Sequence, residues 1–218
     1  KLKDPKINNI YSNFKKKLSE NFSGVIGVSV SGGTDSLALS FLAKCYSLEK
    51  KKKAYFFIVD HKIRKNSSFE ANYVRNKLKK FDINSDILTF SKVRKKSNLQ
   101  SFARDNRYSL ISKKSLSKKI DFVLTAHHQN DLLENFFIRL LRGSGLKGLV
   151  SFGKLKSKVK YDDKIYILRP LIDVSKKDLI YITKNTFNFS IEDPSNQDEK
   201  FLRVKVRKLI SNLEKDGL

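Results

Sequence analysis

Two kinds of segment alternate along most of this 218-residue chain. One kind is short and rich in Val, Ile and Phe, as buried strands are, and the other repeats its apolar residues at helical spacing. Strands are predicted at 25–30, 54–59, 85–90 and 122–125, with helices at 35–48, 69–81, 99–116 and 130–141. This alternation predicts an α/β fold, a Rossmann-like doubly wound parallel sheet with right-handed crossovers.

Further helices are predicted outside this alternating region. Residues 7–18 are amphipathic, and residues 176–184 and 201–213 have helical spacing, so we expect a small helical extension at the C-terminal side. In a parallel sheet, ligands bind beyond the carboxyl ends of the strands. The chemistry is therefore expected directly after each predicted strand, at Ser31, Asp60, Ser91 and Ala126.

The segment Ser-Gly-Gly-Thr-Asp-Ser at residues 31–36 joins the first strand to the first of these helices. Unpaired backbone N–H groups and the positive end of the helix dipole attract an anion there, and the two glycines allow it to approach closely. Both serines add hydroxyl donors. The segment matches neither a Walker A motif nor a dinucleotide-binding turn. It predicts a phosphate site, with an ordinary helix N-cap as the alternative.

Asp60 directly follows the second predicted strand, in the sequence Val-Asp-His. At that position a carboxylate can hold a ribose, an exocyclic amine or a metal ion. The alternative is an Asx turn, in which the side chain accepts a hydrogen bond from the backbone two residues later.

Imidazoles and carboxylates follow the fourth strand. Asp131 and Glu134 lie three residues apart on one helix face, with His127 or His128 one turn earlier. Such a group suits Mg²⁺ coordination, or capture of a substrate amine beside a base that deprotonates it. The alternatives are a capped, solvated helix start and a zinc site, although the spacing matches no known zinc motif.

Several arginines stand at helical spacing. Arg104 and Arg107 precede Tyr108 on one face, where arginine can stabilise a transferring phosphoryl group or form a surface ion-pair face. Arg142 precedes a glycine cap and a basic loop that can wrap an RNA backbone. Arg203 and Arg207 lie one turn apart, after an Asp-Pro-Ser-Asn turn at residues 193–196.

The charge of the chain points to a polyanionic partner. Lys and Arg number 46 against 22 Asp and Glu, a formal net charge of +24, which favours nucleic acid. Compositional bias is the alternative for part of this excess, and any single lysine run is most simply a solvated face. The lysine clusters lie at 15–17, 50–53, 92–96, 113–119 and 154–160.

No stretch approaches the roughly 18 apolar residues of a membrane span, and the chain begins without a signal-peptide pattern. We therefore expect a cytoplasmic protein without membrane contact. The single cysteine, Cys45, precludes an internal disulfide and lies in an apolar helix, where it is expected in the core. Since the chain contains no Met, we expect its reading frame to begin before Lys1.

The loop at 31–36 resembles the pyrophosphate loop of the ATP pyrophosphatase families. The ordered set of motifs resembles the bacterial tRNA(Ile)-lysidine synthetase family from Ser29 to about Leu209. The motifs are Ser-Gly-Gly-x-Asp-Ser, Val-Asp-His, Ala-Arg-x-x-Arg-Tyr, His-His-x-x-Asp-x-x-Glu, Arg-Leu-Leu-Arg-Gly-Ser-Gly-Leu, Arg-Pro-Leu and Asp-Pro-Ser-Asn with Phe-x-Arg. The first motif is shared by many families, whereas the middle and last motifs together are more specific.

This resemblance implies a ligase that modifies the wobble cytidine of tRNA(Ile) with a CAU anticodon. The base oxygen attacks the α-phosphorus of ATP, and the ε-amine of free L-lysine then displaces AMP to give lysidine. ATP and Mg²⁺ are the implied cofactors, and a homodimer is a further expectation. Residues 1–150 are expected to form the nucleotide-binding catalytic domain, and residues 151–218 its C-terminal part with the helical extension.

The resemblance also assigns roles to residues. ATP phosphates would be held by Ser31, Gly32, Gly33, Thr34, Asp35 and Ser36, with Asp35 reaching Mg²⁺ and Asp60 added by its position. The catalytic set is Asp35, Arg107, His127, Asp131 and Glu134. Among these catalytic residues, Arg107 and His127 would lie at the adenylation centre. Asp131 and Glu134 would orient the lysine amine or Mg²⁺. Substrate binding falls to Arg104, Arg142, Arg203 and Arg207.

The chain departs from the family in two ways. Many members carry further C-terminal domains that grip the tRNA, so this chain is a short form or a fragment, and Asn135 stands where Thr is usual. Three other functions are alternatives: a tRNA cytidine thiolase, a catalytically silent RNA-binding module and a synthetase that uses no RNA. The single cysteine argues against the thiolase, and the retained acidic residues argue against the silent module. The basic surface argues against the synthetase that uses no RNA.

Overall fold

A mixed sheet forms the middle layer of the computed structural model, which describes residues 1–21, 24–90, 99–150, 153–159, 162–192, 198 and 200–216. Its strands are β1 (Ile26–Val30), β2 (Ala54–Asp60), β3 (Ser85–Thr89), β4 (Phe122–Leu124), β5 (Lys156–Val159) and β6 (Asp162–Leu168). Their order is β3-β2-β1-β4-β6-β5. All neighbours are parallel except β5, which runs antiparallel to β6 at the edge.

Helices cover both faces of the sheet. They are α1 (Pro5–Asn21), α2 (Thr34–Glu49), α3 (Ser67–Lys79), α4 (Leu99–Ser117), α5 (Gln129–Leu141), α6 (Leu146–Val150), α7 (Lys176–Thr186) and α8 (Leu202–Lys215). Each predicted strand and helix is present, with ends shifted by a few residues at most. The predicted doubly wound α/β fold is confirmed, with one antiparallel edge strand added.

The core has two halves because successive strand residues point to opposite faces. On one face Phe56 and Ile58 pack with α1, α2, α3 and α7, and on the other Phe57 packs with Ile111 of α4. The amphipathic prediction for residues 7–18 is confirmed, since the apolar side of α1 is buried in the first half. Burying each such large side chain stabilises the fold by about 1.5–3 kcal/mol.

Cys45 belongs to α2 and packs against this core, as predicted. Burial raises the pKa of its thiol to about 11, so the thiol is protonated and unreactive at neutral pH. Among the described residues, no helix combines the length and apolarity that crossing a membrane requires.

The hairpin of β5 and β6 was not predicted. Its strands interleave Lys and Asp with apolar residues, and β5 presents this charge at the edge, where lysines discourage pairing with another chain. Because β6 pairs with β4, residues on both sides of position 150 share one sheet. The division into 1–150 and 151–218 stays a prediction.

The strand order reverses between β1 and β4. From β1 the chain builds outward through β2 and β3, whereas β4 and β6 extend the sheet in the other direction. The register pairs Val28 of β1 with Leu124 of β4, so their carboxyl ends open together. Such a reversal leaves a crevice in which α/β proteins bind ligands.

Candidate active site

The loop between β1 and α2 is held in shape by Ser36. Its Oγ accepts hydrogen bonds from the N–H groups of Ser31 and Gly32 and from Ser31 Oγ, each at 3.1 Å. The same hydroxyl donates to the Gly33 carbonyl at 2.9 Å. Ser36 is thus engaged inside the loop rather than at the cavity wall, and its contact with a phosphate stays a prediction.

Gly32 meets two demands that only glycine satisfies. Its φ is +87°, and a Cβ there would lie 2.5 Å from Val74 Cγ2 of α3. Its carbonyl also accepts a hydrogen bond from Ile191 N–H at 2.8 Å. Close packing on α3 and on residue 191 therefore fixes the conformation of the loop at Gly32.

A cavity of about 750 Å³ opens over this loop. The loop contributes Ser31, Gly33, Thr34 and Asp35 to the wall. The opposite wall comes from the end of β2 and the start of α3, and Ile180, Ser190, Ile191 and Glu192 also line the cavity. Four cationic side chains take part in the lining: Arg64, Arg107, Lys176 and Arg207. A cavity of this size with converging cations suits an anionic small molecule.

Lys176 is a site residue that the sequence did not predict. It begins α7, and its Nζ lies 2.6 Å from Asp35 Oδ1 and 3.0 Å from Thr34 Oγ1. Burial raises the pKa of Asp35, but the hydrogen bond from His128 and the charge of Lys176 outweigh it and lower the pKa below its ordinary value. The sequence contains 46 Lys and Arg residues. The local signal at Lys176 is that it follows Ser175, the N-cap of α7, and this signal indicates a helix start rather than a binding site.

Asp60 fits the alternative interpretation, an Asx turn. Its carboxylate accepts from Lys62 N–H at 3.1 Å, Ser67 Oγ at 2.7 Å and Ser68 Oγ at 2.6 Å. Burial raises its pKa, but these hydrogen bonds outweigh burial and lower it. Asp60 is buried and holds the start of α3, while His61 lines the cavity in its place. Binding of a nucleotide by Asp60 stays a prediction.

The start of α5 places His128, rather than His127, beside the loop. His128 Nε2 lies 3.6 Å from Asp35 Oδ2 and 3.7 Å from Asp131 Oδ2, so this buried imidazole stands between a carboxylate of α2 and one of α5. The His128 N–H also donates to Asp131 Oδ2 at 3.1 Å. The adjacent His127 hydrogen-bonds Thr125 Oγ1 through Nδ1 at 2.9 Å.

Burial lowers the pKa of His127 to about 4, and the positive charges of nearby arginines act in the same direction. Its imidazole is therefore neutral at physiological pH. A bound anion would raise this pKa, because negative charge favours the protonated ring.

Glu134 is paired with two arginines of α8. Its Oε1 accepts from Arg207 Nε at 2.5 Å, and its Oε2 lies 2.7 Å from Arg203 Nε. Arg203 also approaches Asp131 Oδ1 at 3.9 Å. The predicted carboxylates and two predicted arginines thus form one cluster, in which the arginines occupy the positions expected for a substrate ammonium.

The remaining predicted residues lie at different places. Arg107 lines the cavity, whereas Arg104 stacks over the Tyr108 ring at 5.3 Å. Arg142 is exposed at the end of α5, followed by Gly143 at φ +70°, the predicted glycine cap. The residues after it include the short helix α6, where a loop was expected. The predicted sites at Ser91 and 193–196 lie outside the described residues.

The zinc alternative finds no support in the described part of the chain. No group of three or more His, Cys, Asp or Glu side chains is arranged there to hold a metal ion. Mg²⁺ needs less from the protein, because one or two carboxylates complete a site with substrate phosphates and water.

Comparison with known proteins gives the family. The family model of the PP-loop domain matches residues 5–214. The chain is 36% identical over 189 residues to tRNA(Ile)-lysidine synthase of Orientia tsutsugamushi, covering 86% of this chain and 42% of that protein. It is 34% identical over 212 residues to the enzyme of that name from Rickettsia bellii, covering 94% and 47%. The chain thus spans less than half the length of these curated relatives.

Solved structures confirm the fold. The U34-tRNA thiolase NcsA from Methanococcus maripaludis, with its [4Fe-4S] cluster, superposes with a TM-score of 0.80 at 18% identity, covering 97% of this chain and 73% of that one. NH3-dependent NAD synthetase from Campylobacter jejuni gives a TM-score of 0.55 at 17% identity, covering 97% and 83%. Together with the family match, the loop at 31–36 and the cavity above it show that the chain belongs to the PP-loop domain family of ATP-binding proteins.

Proposed function

We propose that this protein uses ATP and L-lysine to convert the wobble cytidine of a CAU-anticodon tRNA(Ile) to lysidine. One observation carries the proposal. The phosphate-binding loop and the carboxylates of α5 meet at the crevice between β1 and β4, joined through His128 at 3.6 and 3.7 Å from Asp35 and Asp131. The relatives named tRNA(Ile)-lysidine synthase support the same reaction.

ATP would lie in the 750 Å³ cavity with its phosphates over the loop. The cytidine C2 oxygen attacks the α-phosphorus, a new P–O bond forms, and the bond to the β-phosphate oxygen breaks as pyrophosphate leaves. Negative charge develops on the departing group. The cavity-lining cations Arg107 and Lys176 and the loop N–H groups are suited to stabilise it.

Mg²⁺ would be held by Asp35 together with phosphate oxygens. A single carboxylate fits this mode of binding, and Asp35 Oδ1 already has a cation, Lys176 Nζ, at 2.6 Å. When bound, Mg²⁺ supplies charge neutralisation for the phosphates.

The second step takes place at the carboxylates of α5. The lysine ε-nitrogen, after losing a proton, attacks C2, a C–N bond forms, and the C2–O bond breaks to release AMP. Asp131 and Glu134 would hold the incoming ammonium, and Arg203 would turn toward the lysine carboxylate. Entry of lysine would thus replace the arginines that pair with Glu134 in this structure.

His127 would accept the amine proton. Its ring is neutral at physiological pH, and its Nδ1 hydrogen-bonds Thr125 Oγ1, which fixes the orientation of the imidazole beside the start of α5. A pKa of about 4 makes a weak base, but the phosphate of the adenylated intermediate would raise it toward the working range.

The tRNA would be held by the basic surface, with Arg104 and Arg142 among its contacts, and we place the reaction in the cytoplasm.

The fold is also that of a thiolase, which carries a [4Fe-4S] cluster. Such clusters are held by several cysteines, and this chain contains one. The ligase is therefore preferred over the thiolase.

The proposal is tested by incubating the protein with radiolabelled lysine, ATP, Mg²⁺ and a CAU-anticodon tRNA(Ile) transcript. Label should enter this tRNA and should stay out of a transcript whose wobble cytidine is replaced by uridine. Absence of label from the CAU transcript and from total tRNA would refute the proposal.

A further inference from the structure

The outer face of α3 combines exposed aromatic rings with lysines. Phe69 and Tyr73 lie one turn apart and are 74% and 38% exposed. With Lys77 and Lys80 on the same face, they line a groove of about 250 Å³ whose surface is almost entirely carbon. A phenylalanine with this exposure buries little apolar surface against the core, and most of its ring faces solvent.

The groove is rigid on one side. Tyr73 packs edge-to-face on Phe189 with ring centroids 6.0 Å apart, and Phe189 packs in turn on the buried Phe187 at 6.0 Å. Lys77 Nζ lies 5.3 Å from the Tyr73 ring and 5.8 Å from the Phe189 ring. The aromatic floor and one cation are therefore held in place before any ligand arrives.

The charge around the groove is positive. Helix α3 carries Arg75, Lys77 and Lys79, followed by Lys80, and its one acidic residue, Glu70, pairs with Arg64 at 2.9 Å. A second copy of this chain would bring the same positive charge to the groove, which opposes self-association there. A polyanion with flat apolar rings is complementary to both properties, and single-stranded nucleic acid is such a molecule.

The groove lies across one helix from the cavity. The other side of α3 contributes Ser67, Glu70 and Ala71 to the cavity wall, and Ile191, two residues after Phe189, also lines the cavity. A helix with its side chains is about 10 Å thick, so a few nucleotides of unpaired RNA can span the distance.

We propose that this groove binds an unpaired base of the RNA substrate, next to the base that enters the cavity. The base stacks on Phe69 and Tyr73, and the flanking phosphates contact Lys77 and Lys80. Stacking of this kind tolerates any base, and proteins bind the unstacked bases of single-stranded RNA loops on aromatic side chains. The inference rests on the proposed function insofar as the ligand is the tRNA substrate.

A tryptophan probe tests the groove directly, because the chain contains no Trp. In Phe69→Trp, a short single-stranded RNA should quench the fluorescence as a base stacks on the indole. The control, Leu48→Trp, places the probe at another exposed apolar site, 65% exposed near the end of α2 and far from the cavity. Equal responses of the two probes would overturn the inference.

Affinity measurements separate stacking from mere apolarity. Phe69→Ala and Tyr73→Leu should bind the RNA roughly 5- to 100-fold more weakly than the wild type, since a base-stacking ring is lost in each. Lys53→Gln, a charge control before β2, should change binding much less. Wild-type affinity in both ring variants would overturn the inference.

Other occupants give distinct results. Loss of binding to anionic lipid vesicles, or a change from dimer to monomer, in Phe69→Ala with unchanged RNA affinity would assign the groove to a membrane or to a second copy, and would overturn the inference. Failure of lysine transfer in the wild type, with the RNA effects intact, would refute the proposed ligase and leave the groove standing.

Discussion

Lys176 and Asp35 form an ion pair beside the loop between β1 and α2, with Lys176 Nζ 2.6 Å from Asp35 Oδ1. In the proposed reaction the two side chains would have separate roles, because Asp35 would share a cation with ATP and Lys176 would donate to a phosphate oxygen. Backbone and side-chain contacts hold Lys176 in register: its N–H donates to Asn130 Oδ1 at 3.2 Å, and Thr183 of the same helix donates to the Thr34 carbonyl at 2.7 Å.

Replacing this lysine should weaken ATP binding. For Lys176→Met we expect the KM for ATP to rise about 10- to 100-fold, because one charge-assisted hydrogen bond is lost and Asp35 is left facing the phosphates. Lys176→Arg should recover part of the affinity. The neighbouring exposed Lys177→Met is the matched control, and a KM unchanged in Lys176→Met would contradict the role.

The titration of His127 is a second prediction for a single residue. Burial sets its pKa to about 4 in the folded protein, against 6.5 in the unfolded chain. Between these two values the unfolded chain binds more protons, so this residue should lower stability as pH falls from 6.5 to 4 and have no such effect above 6.5. Proton NMR of the three histidines, with His127→Asn for assignment, should show the low titration. Midpoints near 6.5 for all three would contradict it.

The sequence identified residues whose chemistry is tied to a local motif. Gly32, Asp35 and Asp131 were predicted because a glycine turn and a helix start demand those residue types. Lys176 was missed because one lysine among many carries no local signal, and its partner lies 141 residues away. Asp60 illustrates a different limit of prediction from sequence. The sequence around a carboxylate at the end of a strand is the same whether the carboxylate binds a ligand or accepts hydrogen bonds from three nearby donors, as Asp60 does.

Helix α8 is fastened to α5 by the ion pairs of Glu134, which is only 3% exposed. The sequence placed carboxylates and arginines at suitable spacings on each helix, but only the packing of the two helices brings them together. The β5–β6 hairpin was missed for a related reason, because charge alternation at a sheet edge obscures the apolar signal that marks a central strand.

This attachment can be tested without disturbing the loop. Arg207→Met should lower the free energy of unfolding by about 1 to 2 kcal/mol, since a buried carboxylate loses one of its two cations. Lys205→Met, an exposed change on the same helix, should stay within about 0.5 kcal/mol of the wild type. Equal stability of the two variants in chemical denaturation would show that the pair contributes nothing.

The topology of the sheet joins the two parts of the candidate site. The reversal of strand order between β1 and β4 puts the first loop and the start of α5 side by side, although they are distant in sequence. The alternating pattern of strands and helices predicted a doubly wound sheet, the class of fold that contains such a reversal. It did not predict that the reversal lies between β1 and β4. The net charge of +24 predicted a polyanionic partner but could not locate its binding surface, because the lysines are spread over many short clusters.

The proposed function requires one crevice to carry two separable steps, adenylation at the loop and amine attack at the carboxylates of α5. The direct test follows transfer of labelled AMP from ATP to CAU-anticodon tRNA without lysine, and its release when lysine is added. The wild type should do both. Asp131→Asn should adenylate the tRNA at a near-normal rate and retain the AMP when lysine is added, while the surface control Asp173→Asn should behave as the wild type. Loss of both steps together in Asp131→Asn with its fold intact, or normal release of AMP, would contradict a separate amine-attack step at the carboxylates of α5.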